Sequence, residues 1–355
     1  MASRVFCFLW YNQIMRKNNR RIIFEIILPC FSVIAGIFIY FALPKILIKT
    51  PLAPDEVSPF YPSYEGKIWR KIDGLPASPG NGNSPIYAVV VENHVDSRPL
   101  SGLSRASLVF EAPVEGGITR FLAIFSGDAE INEIGPVRSA RPYFIDWADE
   151  FGGLLAHVGG SDAALEQIKN GSAPVDLNQY YKSEYFWRDE ARFAPHNVYT
   201  KSELLGSAAN NLKISPPTYD GWKFKEDAPL WARPEKTEIE ISSPLKAYAV
   251  KWIYDRAHNN YVRYVGGKIQ KDKNGPAVRA KNVVALKTDI EIIDVVTRRA
   301  IQTVGEGEAT VFRDGEAIPA RWKKADAKAR LKFYDADGGE IIFNAGPTWI
   351  EIVSN

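Results

Sequence analysis

The chain has 355 residues, of which 46% are hydrophobic, 12% aromatic and 24% charged, a balance that excludes disordered, collagen-like and disulfide-stapled proteins. Net charge is +2, yet residues 1–21 hold Arg4, Arg16, Lys17, Arg20 and Arg21 and no acid, leaving 39 basic against 42 acidic residues elsewhere. That argues against a global grip on nucleic acid. Both cysteines, Cys7 and Cys30, lie near the N-terminus, so the rest of the chain holds no disulfide framework, thiolate zinc site or cysteine nucleophile.

Residues 26–43 (IILPCFSVIAGIFIYFAL) carry no charge and approach the length of a bilayer span once 22–24 and 46–48 are added. Read with the basic cluster before it, this run predicts one transmembrane helix, a cytoplasmic N-terminus and an outward-facing C-terminal bulk. A cleaved signal peptide is the competing reading. Against it stand a basic region more than twenty residues into the chain and the sequence Ala42-Leu43-Pro44 where small residues are wanted. Cys30 lacks a lipidation context, since Pro29 precedes it and most of the apolar run follows.

Eight of the 23 prolines fall between residues 44 and 85, which predicts a semi-extended stalk. Beyond it, the apolar runs at 87–91 (YAVVV), 108–110 (LVF), 120–125 (RFLAIF) and 154–158 (LLAHV) are bounded by Gly, Pro and Asn and read as buried strands. Helices fit between some of them. The stretch 139–153 offers Ser139 as a cap, Pro142 in the first turn, an aromatic stripe and Gly152-Gly153 as a stop; 161–171 repeats the grammar from Ser161 to Gly171. After a Pro-rich bridge at 214–222, the pattern becomes the alternation of an antiparallel sheet, with hairpin signals at 258–260 and 337–339.

The expected fold class is therefore α+β or α/β: a transmembrane helix, an α/β domain and a mainly antiparallel β domain. The predicted division is a basic segment at 1–21, the membrane helix at 22–48, the stalk at 49–85, the α/β domain at 86–236 and the β-rich domain at 237–355.

Candidate chemistry gathers where ligands of open α/β sheets gather, at the carboxyl ends of strands and the helix N-termini after them. Glu92-Asn93-His94, then Glu111 and Glu115, then His157 with Ser161 follow successive predicted strands. The string GPVRSAR at 135–141 sets Arg138 and Arg141 beside a helix N-terminus, where their charges repel unless an anion or an acid lies between them. Either they bind an anion, with Arg120, Ser139, His157, Ser161, Arg188, Arg192, His196 and Asn197 as further ligands, or they pair with Glu111, Glu115 or Asp146 and brace the fold. Catalytic candidates are His157 or His196 as acid/base, with Glu111 or Glu115 as partner. A divalent metal held by His94, His157 or His196 with Glu111 or Glu115 is the weaker alternative, since nothing has the H-E-x-x-H spacing; no metal site is assigned, and the cofactor is unknown.

The residues at 85–91, Arg98-Pro99, 101–103, 115–120, GPVRSAR at 135–141, His157 to Ser161, Pro195-His196-Asn197, 281–284 and 346–351 together resemble the YerB-like envelope proteins of bacteria, over about residues 85–355. The family is known as a domain of unknown function followed by a characteristic C-terminal domain. The resemblance implies an extracytoplasmic protein, secreted as a lipoprotein or anchored in the membrane, and supplies no catalytic residues. This chain departs from it in lacking a lipobox. Three functions remain: a membrane-anchored module that binds a phosphorylated or acidic envelope glycan, an envelope hydrolase or transferase on such a ligand, and a scaffold whose arginines are purely structural.

Overall fold

The computed structural model describes residues 69–77, 84–171, 174–214 and 218–355. A run of apolar, mostly β-branched residues makes the first strand, β1 (Ile86–Glu92), buried along its whole length. It is followed by β2 (Leu108–Pro113), β3 (Thr119–Ser126), β4 (Leu154–His157) and β5 (Val175–Asn178). Three short helices intervene or follow: α1 (Pro142–Asp149), α2 (Asp162–Lys169) and α3 (Ser202–Asn211). Pro142 opens α1 at a position where its missing N–H costs nothing. Ser161 caps α2, its hydroxyl accepting from the Ala164 N–H at 3.3 Å, and Asp162 and Lys169 complement the two ends of the helix dipole.

Ten strands form one mixed sheet. Its order runs Lys332–Tyr334, Glu316–Lys324, Gly305–Arg313, Asn282–Thr288, Thr348–Ser354, then β2, β3, β1, β4 and β5. The C-terminal strand Thr348–Ser354 lies parallel both to β2 and to Asn282–Thr288, and so stitches the two halves of the chain together. A five-stranded sheet, centred on Val250–Asp255 and Asn260–Val265, is separate.

Side chains alternate across a strand, so the large sheet has two buried faces. Ala88, Val90, Phe110, Leu122 and Ile350 share one core with α1, where Trp147 stacks on Phe110 at 4.9 Å. Val89, Val91, Val109, Phe121 and Trp349 share the other with Trp252 and Tyr261 of the five-stranded sheet. Residues 69–77 also join the fold. Ile72 enters the first core, and buried Asp73 accepts from the Ser107 hydroxyl at 2.6 Å.

Two expectations are corrected. The protein is mainly β, with three α-helices among the described residues, and strands from both expected domains share one sheet. β2 pairs with a strand some 240 positions later, a contact that local patterning cannot foresee. The expected transmembrane helix at 22–48 lies outside the described residues, as do the basic segment and most of the stalk. Among the described residues no helix is long and apolar enough to cross a membrane. The longest has ten residues, or about 15 Å at 1.5 Å per residue, half a hydrocarbon core.

Candidate functional site

At the carboxyl end of β1, Glu92 lies opposite Arg120 at the start of antiparallel β3. Strand alternation puts both on the α1 face of the sheet, because Val90 and Leu122, two residues away from each, pack in that core. The segment leading into α1 runs alongside. The Arg138 N–H bonds to the Val90 carbonyl at 2.8 Å, and the Arg138 carbonyl accepts from the Val158 N–H at 3.1 Å. Arg138 and Arg141 are thereby carried to the same rim as Arg120.

Three guanidiniums and two carboxylates meet there. Arg141 Nε bonds to Glu115 Oε1 at 2.6 Å. Arg138 Nε stands 3.0 Å from Glu92 Oε1 but makes no hydrogen bond, so a buried N–H remains unsatisfied. Arg120 is 5% exposed, forms no ion pair among the described residues, and donates from Nη1 to the Ser139 carbonyl at 2.8 Å. Burial pulls its pKa down to about 10, and the charges of Arg141 and Arg138 add to the fall. Burial alone would raise Glu115; the hydrogen bond and charge of Arg141 outweigh it and hold that carboxyl below its ordinary value.

His196 closes one side of the cluster. Its Nδ1 is 2.8 Å from Glu92 Oε2, so Glu92 bridges His196 and Arg138, and Arg138 also reaches the Pro195 carbonyl at 3.4 Å. The His94 ring stacks on His196 with centroids 4.9 Å apart, and Asp96 Oδ2 lies 3.5 Å from His94 Nδ1. Glu92, His94 and Asp96 are absent from the ligand set drawn from the sequence. The sequence shows only that Glu92 follows an apolar run, two residues beyond Val90; its register with Arg120 belongs to the structure.

Other candidates lie elsewhere or serve the scaffold. His157 is fully buried, with Nδ1 2.7 Å from the Gly159 carbonyl and Nε2 2.7 Å from Asp176 Oδ1, and it shares no partner with the arginines. Ser161 is the cap of α2. Arg192 staples the 95–99 loop through the Ser97 and Pro99 carbonyls at 2.6 and 2.9 Å. Arg188 holds Asn197 Oδ1 at 3.0 Å and Gln179 Oε1 at 3.4 Å, tying two loops together.

Glu111 faces the opposite core. It ion-pairs with fully buried Arg263, accepts from Trp349 Nε1 at 3.2 Å and from the Thr119 hydroxyl at 2.7 Å, and touches no histidine. Its neighbour across the parallel pair is Glu351, which accepts from Trp252 Nε1 at 2.8 Å. Burial, and then repulsion from Glu111, push the Glu351 carboxyl well above the ordinary range, so it holds a proton. Arg263 also bonds to Gln270 and sits 4.9 Å from the Trp349 ring centre.

Residues 73–215 match the model described as "Protein of unknown function (DUF3048) N-terminal domain", and residues 239–350 match its C-terminal domain. The chain belongs to this family. Within it, the chain is 34% identical over 278 residues to the protein named "Putative lipoprotein YerB" of Bacillus subtilis (strain 168), covering 75% of this chain and 80% of that one. The crystal structure of YerB from Bacillus subtilis superposes with a TM-score of 0.71 at 31% identity, covering 81% of this chain and 97% of that one. The sequence-stretch resemblance to YerB-like proteins thus holds, and the function of the family is unknown. The single-pass anchor is corrected: the matched relative is named a lipoprotein, and no described helix can span a bilayer.

Proposed function

We propose that this DUF3048 protein is an extracytoplasmic envelope protein that binds an anionic ligand, a phosphorylated or acidic glycan, at the Arg120, Arg138 and Arg141 rim. The envelope location is supported by the relative named a lipoprotein. One observation supports the ligand class: Arg120 is buried, feels the charges of Arg141 and Arg138, and forms no ion pair among the described residues. Three positive charges against Glu92 and Glu115 leave one in excess. A guanidinium whose pKa is about 10 stays charged at neutral pH, so it cannot relieve the repulsion by losing a proton. An anion can.

Exposure separates this cluster from the other cation-rich node, Lys324 and Arg330 around Glu150. There all three side chains are at most 2% exposed, Lys324 bonds to the carbonyls of Ala327 and Ala329, and Arg330 lies 3.9 Å from the Trp222 ring centre. At the rim, the side chains of Arg138 and Arg141 remain 22% and 13% exposed, so a ligand from solution reaches them. The loops tied by Arg188 add sugar-stacking faces: Tyr180, Tyr181 and Phe193 are 67%, 83% and 91% exposed.

The test is thermal unfolding of the wild type and Arg120→Met with phosphate, pyrophosphate, uronate and sugar phosphates. A ligand at 100 times its dissociation constant adds about 2.7 kcal/mol to the wild type. Equal shifts in both proteins, or none in either, would remove the anion reading.

A further inference from the structure

We propose that His94, Asp96 and His196 form a divalent transition-metal site, and that Glu92 positions His196 within it. One donor atom from each of the three ligands lies within 4.8 Å of the others. Zinc binds nitrogen and oxygen at about 2.0–2.2 Å, so donors around one ion sit roughly 3.3 Å apart. Side-chain rotation closes the difference, because His94 and Asp96 stand on the loop after β1 with side chains 35% and 72% exposed.

Two features beyond proximity point to a cation. The first is Glu92. A metal-bound imidazole characteristically gives its second nitrogen to a carboxylate, which fixes the tautomer and raises the basicity of the first. Here the Glu92 carboxylate, its side chain 3% exposed, takes His196 Nδ1 at 2.8 Å and leaves Nε2 as the nitrogen for a ligand. The Arg138 guanidinium lies 3.0 Å from the other Glu92 oxygen and sets a positive charge beside that carboxylate. The second is His94. Its Nδ1 lies 3.3 Å from the Asp96 N–H and 3.5 Å from an Asp96 carboxylate oxygen. An ion bound between the ring and the carboxylate would take the place of that long N–H contact.

Two imidazoles and one carboxylate with open positions suit Zn2+ first, then Fe2+ or Mn2+, and exclude Ca2+ and Mg2+, which take all-oxygen shells. Solvent would fill the remaining coordination. Its three ligands are not the rim's guanidiniums; it shares Glu92 with the rim as a positioning group, and it does not rest on the anion reading.

The test is calorimetric titration of the full-length, chelator-treated protein with ZnCl2, in buffer free of phosphate. One ion per chain is expected. His94→Ala and Asp96→Ala, both exposed and so compatible with folding, should each weaken binding at least tenfold while leaving the metal-free melting temperature at the wild-type value. Glu92→Gln should weaken it about 10–100-fold through the lost orientation of His196. His258→Ala, whose ring pairs with Asp255 on a distant hairpin, should bind as wild type. Arg120→Met should also bind zinc as wild type, which separates this proposal from the anion site. Absence of zinc binding at millimolar concentration, or wild-type affinity in His94→Ala, would overturn it.

Discussion

Two ion clusters on opposite faces of the same sheet solve opposite problems. In the inner one, Glu111 and Glu351 sit side by side, Arg263 pairs with Glu111, and burial with the repulsion from Glu111 keeps a proton on Glu351. At the rim, Arg120, Arg138 and Arg141 face Glu92 and Glu115, and the surplus is positive. A carboxyl can take up a proton near neutral pH, whereas a guanidinium cannot give one away. The inner cluster therefore completes itself and belongs to the scaffold. The outer one keeps its excess positive charge, and the proposed anion binding rests on that.

The largest effect should come from breaking the inner cluster. Arg263→Met strands Glu111 as a buried carboxylate and should cost about 3–5 kcal/mol in urea unfolding. If it costs under about 1 kcal/mol, the inner cluster is not the closed unit described. Next, Arg120→Met should lie within about 1 kcal/mol of wild type without ligand, since the methionine keeps the apolar stem and removes a repelled charge. With ligand in excess it should lack the stabilisation of roughly 2.7 kcal/mol that the wild type gains.

A pH series sharpens the contrast. Glu351 holds its proton in the folded protein, while the unfolded chain releases it above about 4.5. Wild-type stability should fall as pH rises from that value toward the raised folded value, by about 1.4 kcal/mol for each unit separating the two. Glu351→Gln should remove this slope, being more stable than wild type at pH 8 and indistinguishable near pH 4 in chemical denaturation. The smallest effect belongs to a residue that serves the fold alone: Ser161→Ala should cost about 1 kcal/mol by losing the α2 cap and leave ligand-induced melting shifts unchanged.

Much of the local structure is legible without coordinates. The strand at 87–91 falls inside β1, that at 120–125 inside β3, and the helix capped by Ser161 is α2; the helix expected from a Ser139 cap appears as α1 but starts at Pro142, with Arg141 at the cap position and no side-chain cap bond. The gathering of Arg138, Arg141 and His196 at strand and helix ends is also legible, because those ends are where loops place polar groups. The roles of Glu111 and Glu92 are not. Glu111 belongs to the face buried against the five-stranded sheet, and Glu92 to the face shared with α1, a difference fixed by one residue of register.

The sequence by itself determined the family, the strand and helix signals and the presence of an arginine-rich cluster, since these follow from residue type and short-range spacing. Only the tertiary structure decided that both halves of the chain share one sheet, that Glu111 is sealed against Arg263, and that Glu92 links His196 to Arg138. Each depends on contacts between residues roughly 50 to 240 positions apart, whose register is set by the packing of whole faces and leaves no mark in any local window.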